Sequence, residues 1–273
     1  MGTMSQSSPH LGLALGGGSV LGLAHVGALQ ALVENSIQPD ILSGTSAGAL
    51  AATLYAFDVP VETIMEEAYS LDWLRLAQPT LSARGLLTNE RIESIIRKYV
   101  GDRKIEDASV PLLITATDIS RGVPVVLDHG DVALAVRASC SIPGVFRPVE
   151  IEGRLLVDGG VTDNVPIRPL LDRHAAHIVA IDVLSHRYRP NANPQNIFDV
   201  LNNTYFIMIQ RAMRTHADQA EVLIEPDLSH FSSADFRKHR DIVQAGYEET
   251  NKHMDQIRAL SVRKQPWWRQ WSI

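Results

Sequence analysis

Ser46 stands between two glycines in Ile41-Leu42-Ser43-Gly44-Thr45-Ser46-Ala47-Gly48-Ala49-Leu50. The G-x-S-x-G spacing is that of a nucleophile elbow, in which a serine sits on a sharp turn from a strand into a helix. Small neighbours let the two elements pack closely behind a strained backbone. The helix N-terminus that follows turns free N–H groups and partial positive charge toward any anion that forms at the serine. A five-residue pattern also arises as a plain Gly/Ser turn, so its surroundings decide its meaning.

A second cluster, Gly16-Gly17-Gly18-Ser19-Val20-Leu21-Gly22, precedes the elbow. A dinucleotide-binding loop would occupy the same place between strand and helix, but it requires an acidic residue at the end of the second strand. Here that strand ends in Ser43-Gly44-Thr45-Ser46, without an acid. With a serine nucleophile in that position, exposed N–H groups at Gly16, Gly17 and Gly18, and at Ala47 after the serine, suit the oxyanion of an attacked acyl carbonyl.

Ser46 also needs a base. In an α/β-hydrolase several strands precede the elbow and the order is Ser, acid, His. An elbow at residue 46 leaves too little chain for that fold. None of the ten histidines is an obvious partner: His25 falls in an apolar helix and reads as a packed or loop-anchoring residue, while most of the others lie in charged, surface-like stretches. Asp158, in Val157-Asp158-Gly159-Gly160, ends a strand where glycines let the backbone turn close to a neighbour. An Asp-Gly turn between strands is the plainer role for it, and Asp163 is the second carboxylate to consider. An ordinary Asp is a weak base at neutral pH, and partial burial would strengthen it.

The elements that must position these groups read as strand (Leu11 to Leu15), glycine turn, helix (Ala24 to Asn35), strand into Ser46, and helix (Ala47 to Tyr55). This βαβα series is the signature of a parallel sheet covered by helices. Residues 58–107 turn helical and more charged and read as a helical insertion after the nucleophile helix. Leu112 to Thr117 and Val123 to Leu127 suggest a hairpin, and Asp131 to Ala138 a short helix. Strands follow at Gly153 to Val157, His177 to Val183 and Ala220 to Ile224, with long helices at Ile197 to His216 and Arg237 to Leu260. No internal repeat or low-complexity linker divides the 273 residues, so one domain is the economical reading.

Composition bounds the partners. With 45% apolar residues, 21% charged and a net charge of −6, the chain reads as soluble and globular, without bulk attraction to nucleic acid. The single cysteine, Cys140, offers no disulfide partner and no thiolate metal pair. No metal or cofactor is implied. The longest apolar stretch, Leu11 to Leu32, is broken by glycines, and the first Lys or Arg is Arg75, so neither a membrane span nor a signal peptide is expected. A cytoplasmic location is the default expectation.

Four blocks in order resemble the bacterial patatin-like phospholipases: Leu15-Gly16-Gly17-Gly18 through Gly22-Leu23-Ala24-His25; Gly44-Thr45-Ser46-Ala47-Gly48; Arg137-Ala138-Ser139-Cys140-Ser141-Ile142-Pro143-Gly144-Val145-Phe146; and Asp158-Gly159-Gly160. The resemblance implies a three-layer α/β/α sandwich with a mainly parallel central sheet. It implies a histidine-free dyad of Ser46 as nucleophile and Asp158 as base, an oxyanion hole at the glycine loop, and lipid acyl esters as substrates. The family's loop usually carries Arg or Lys where Leu21 stands. Either Arg137 or Arg147 supplies the cation, or backbone amides suffice, or activity is weakened or altered. The resulting expectation is a domain over residues 11–260 that hydrolyses phospholipid or other lipid esters. A short-chain carboxylesterase or thioesterase with the same dyad, and a weakly active regulatory protein of the same fold, are the alternatives.

Residues 261–273 form a separate basic tail. Trp267, Trp268 and Trp271 are interleaved with Arg263, Lys264 and Arg269 and no acid. Trp with Arg favours a water–lipid interface, so peripheral membrane contact is one expectation, and packing on the domain or on a second subunit the other.

Overall fold

The computed structural model describes residues 9–70, 78–79, 87–185, 193–195, 197–212, 217–231 and 238–262. The expected tail contacts of Trp267, Trp268 and Trp271 lie outside these residues, as do His186 and His216.

Eight strands form one mixed sheet: β1 (Leu11–Leu15), β2 (Ile41–Thr45), β3 (Leu112–Asp118), β4 (Val123–Leu127), β5 (Val149–Ile151), β6 (Arg154–Asp158), β7 (His177–Ile181) and β8 (Val222–Ile224), in the order β8-β7-β1-β2-β3-β6-β5, with β4 also paired to β3. From β8 to β3 all pairs are parallel. The β3–β4, β3–β6 and β5–β6 pairs are antiparallel. The parallel strands are buried almost throughout because both faces of the sheet are covered. Leu13 and Leu15 enter the large core on one face, while Ala14, with Ile41, Leu113, Ile178 and Ala180, packs under α6 (Ile167–Asp172) on the other.

The large core is closed by α1 (Leu23–Glu34), α2 (Ala47–Ala56), α3 (Val61–Ser70), α4 (Glu90–Val100) and α5 (Val132–Ser139), then α7 (Ile197–Ala212), α8 (His239–Lys252) and α9 (Met254–Ser261). Helix α1 is apolar nearly all round because α8 lies across it at backbone distance. A Cβ at Gly27 would overlap the Val243 carbonyl oxygen, and one at Gly246 the Ala24 carbonyl oxygen. The expected hairpin is β3–β4. Asp131 caps α5, its Oδ1 accepting from Leu134 N at 2.9 Å. The helical insertion is α3 and α4, flanking α2.

One long helix expected over Arg237 to Leu260 is two. The His253 N–H donates to Thr250 O, tightening the last turn of α8, and the chain restarts as α9 with Met254 and Ile257 turned inward.

Candidate functional site

The site follows from how two strands of opposite direction share one edge of β3. Strand β4 occupies one edge from Ile114 to Asp118. On the other edge β2 runs up to Thr45, opposite Thr115, and β6 runs the opposite way to Asp158, opposite Ala116. The two strands therefore end facing each other beside consecutive residues of β3. Ser46 leaves β2 and Gly159 leaves β6 at that meeting point. A Cβ on Gly159 would overlap the Thr115 carbonyl oxygen and lie 3.1 Å from Thr45 Cγ2, so the turn out of β6 is pressed against the end of β2.

Ser46 has φ 53° and ψ −121°, a left-handed conformation that costs a non-glycine residue on the order of 1–3 kcal/mol. The surroundings hold it there. Its N–H donates to Ser139 Oγ at 2.8 Å, and that hydroxyl donates to Thr115 O at 2.6 Å. The hydroxyl of Thr45 donates to Asp163 O at 3.0 Å. Helix α2 starts so close to β1 that a Cβ at Gly48 would overlap the Leu15 carbonyl oxygen.

Asp158 is 1% exposed. Its Oδ1 accepts from Gly160 N at 2.9 Å. Oδ2 is buried, and no hydrogen bond to it closes within ordinary geometry. The Ser46 and Tyr205 hydroxyls are near enough to favour its charged form. Burial outweighs these and the Gly160 N–H, pushing the carboxyl up to about 6. Cys140 lies beside the pair; burial, then the Asp158 charge, push its thiol up and keep it protonated, against a smaller opposing effect of the Ser46 hydroxyl. Asp163, the other carboxylate considered, is pushed up to about 7 by burial. Its backbone anchors the elbow through Thr45, and no described interaction joins its carboxyl to Ser46.

The glycine loop is fastened to its neighbours. Gly16 N donates to Ile181 O at 3.0 Å, and Gly17 N to Asn164 O at 3.1 Å. Asn164 Nδ2 returns a bond to Gly17 O at 3.1 Å, and His25 Nε2 lies 2.6 Å from Gly16 O. Since a carbonyl only accepts, His25 is the Nε2–H tautomer, and burial drives its pKa down to about 4, keeping it neutral. His25 thus anchors the loop, as expected. A Cβ on Gly17 would lie 3.2 Å from Ser46 Cβ, so the loop faces the nucleophile. Of the four amides expected to face an oxyanion, those of Gly16 and Gly17 are already committed. Those of Gly18 and Ala47 donate to no acceptor among the described residues.

Leu21 is fully buried in the core. Of the two cations considered in its place, Arg137 pairs through Nη1 with Glu93 Oε2 at 2.7 Å and keeps a buried Nε without a hydrogen bond, while Arg147 is exposed. The roles of Ser139, Tyr205 and Asn164 were not read from the sequence. Ser139 sits inside a motif block, but nothing in the block says which atom it serves. Tyr205 reaches Asp158 from a distant helix that carries no motif.

Residues 13–171 match the family described as patatin-like phospholipase. An uncharacterised NTE-family protein of Mycobacterium tuberculosis is 36% identical over 201 residues, covering 72% of this chain and 56% of that protein. Lysophospholipase NTE1 of Candida glabrata is 29% identical over 276 residues, covering 88% of this chain and 16% of that protein. The chain therefore spans about half the length of the mycobacterial relative and a small part of the yeast one. The crystal structure of VipD from Legionella pneumophila superposes with a TM-score of 0.60 at 15% identity, covering 90% of this chain and 66% of that one, a likeness of fold.

Proposed function

The chain belongs to the patatin-like phospholipase family, and we propose that it is a serine hydrolase of lipid carboxylic esters, with Ser46 as nucleophile and Asp158 as base. The observation that carries this reading is the buried Asp158 carboxylate beside the Ser46 hydroxyl, one oxygen held by Gly160 N–H and the other left without a hydrogen bond of its own. The names of the lysophospholipase relatives support lipid esters as the substrate class. Among the described residues no helix is long and apolar enough to cross a membrane.

Ser46 Oγ attacks the acyl carbonyl and passes its proton to Asp158. A carboxyl poised at about 6 is mostly ionised at neutral pH yet basic enough to take that proton in the transition state. The new oxyanion is met by the N–H groups of Gly18 and Ala47, at the positive end of α2. With Leu21 buried, this stabilisation falls to the amides and the helix N-terminus. Collapse breaks the ester C–O bond, and the leaving alkoxide takes the proton from Asp158. Water, deprotonated by Asp158, then attacks the acyl-Ser46 ester; the acyl C–O bond to Ser46 breaks, the Ser46 oxygen takes the proton back from Asp158, and the fatty acid is released.

Incubation with a fluorophosphonate followed by peptide mass analysis tests the reading, alongside hydrolysis of p-nitrophenyl butyrate and lysophosphatidylcholine. The expected result is one adduct, on Ser46, and free fatty acid from the lysolipid. A folded wild-type chain that neither reacts nor hydrolyses any of these esters overturns it.

A further inference from the structure

An apolar pocket starts at the residue after the nucleophile. It is a groove partly open to solvent, and its first walls are Gly22 and Ala47. Along α2 its wall is Ala47, Leu50, Ala51 and Leu54, one face at helical spacing. Val26 of α1, Ile64 of α3 and Ile95 of α4 close the other sides. Glu67 is the one charged residue in the wall, and its Oε2 is taken up by Lys98 Nζ at 2.6 Å and Tyr99 Oη at 2.5 Å. The rest of the lining offers no polar side chain to a ligand. A ligand that fits such a wall is a hydrocarbon chain, entering beside the acyl carbonyl held at Ser46.

We propose that this pocket is the acyl-chain subsite, and that the face of α2 from Ala47 to Leu54 sets the chain length the enzyme prefers. The proposal rests on Ser46 being the nucleophile, because only then does the wall begin where the acyl carbonyl sits. From Ala47 to Leu54 the helix rises about 10 Å, roughly the length of an extended chain of eight carbons. The preferred substrates are therefore esters of medium-chain fatty acids, with octanoyl and decanoyl groups filling the groove and palmitoyl groups overrunning it. Ala51, one turn beyond Ala47, is the small residue that keeps the groove open at mid-length. Leu54, a further turn on, stands where a longer chain would need room.

The test is a series of p-nitrophenyl esters, from acetate through butyrate, octanoate and decanoate to palmitate, read as ratios of kcat/KM within each protein. Wild type is expected to peak at octanoate or decanoate. Ala51→Phe is expected to lower the decanoate-to-acetate ratio by about tenfold or more, the worth of a methylene or two in a hydrophobic pocket. Leu54→Ala opens the far end and is expected to raise the palmitate-to-octanoate ratio. Opposite responses to filling and emptying cannot come from a general loss of folding, and Leu54→Ala keeps the test alive if Ala51→Phe does not fold. Ratios unchanged in Leu54→Ala and in any folded Ala51→Phe, with Ser46 still labelled by fluorophosphonate, overturn the subsite and leave the hydrolase standing. Absence of both labelling and turnover in wild type overturns the hydrolase reading, and the subsite with it.

Discussion

The two halves of the sheet deliver their residues to one point at different costs. The parallel half brings Ser46 there at the end of β2, and its cost is backbone strain, φ 53° on a residue with a side chain. The antiparallel half brings Asp158 there at the end of β6, with an unremarkable backbone (φ −49°, ψ 133°). Its cost is desolvation, which lifts the carboxyl to about 6. The nucleophile, held at a sharp corner, keeps 8% of its surface open, whereas the base must be shielded to be basic and keeps 1%. The contrast with the α1–α8 contact is useful: there glycines also allow close approach, but only backbone packing is gained.

Removing either half should end catalysis, and the side effects should differ. Ser46→Ala is expected to cut p-nitrophenyl butyrate turnover by at least about a thousandfold. Asp158→Asn is expected to cost nearly as much in kcat, about 10³-fold, while the protein becomes more stable. The sign follows from the raised pKa. The folded chain resists ionising Asp158, so the penalty is absent below the ordinary carboxyl value of 3.8 and complete above about 6. Urea denaturation at pH 7 should therefore show Asp158→Asn gaining on the order of 2–3 kcal/mol, a gain that disappears near pH 4. Equal stability at both pH values would mean the carboxylate is not buried as described.

Smaller effects should follow from disturbing the meeting point itself. Gly159→Ala puts a methyl group into the Thr115 carbonyl, which is backbone and cannot swing away. A loss of about 1–3 kcal/mol and of about a hundredfold in kcat is expected, measured by thermal melting and ester assay. Ser139→Ala strands the Ser46 N–H, now bonded at 2.8 Å. It should cost about 1–3 kcal/mol and lower kcat about tenfold as the elbow loosens. The least effect concerns strain alone: Ser46→Gly should melt above Ser46→Ala by the equivalent of about 1 kcal/mol, since glycine accepts positive φ. A reversed order would place the cost elsewhere than in the backbone.

The parallel half was legible in the sequence because each of its steps is local. Leu11 to Leu15 is an apolar run with glycines at its end, and its expected bounds match the strand; the second strand, read as running into Ser46, ends at Thr45 just before it. Helix α1 and the β3–β4 hairpin have the same character. The strand leading to Asp158 was legible, but not its place. Nothing in Gly153-Arg154-Leu155-Leu156-Val157 states that it pairs antiparallel with β3 at Ala116. That register, set by packing over 40 residues of separation, is what puts the carboxylate beside Ser46. The glycine loop was legible as a loop facing the serine, but not in its hydrogen bonding. Asn164 and Ile181, which occupy the Gly17 and Gly16 amides, are distant in sequence and part of no pattern with them.

The pairing of Ser46 with Asp158 is tested most directly by the rate of fluorophosphonate inactivation against pH, in wild type, Asp158→Asn and Asp163→Asn. The wild-type rate should rise with pH through about 6, as the Asp158 carboxyl gives up its proton. Asp163→Asn should keep that profile, and Asp158→Asn should lose both the rate and the inflection. An Asp158→Asn protein that folds and is inactivated as fast as wild type, with the same inflection, would contradict the dyad.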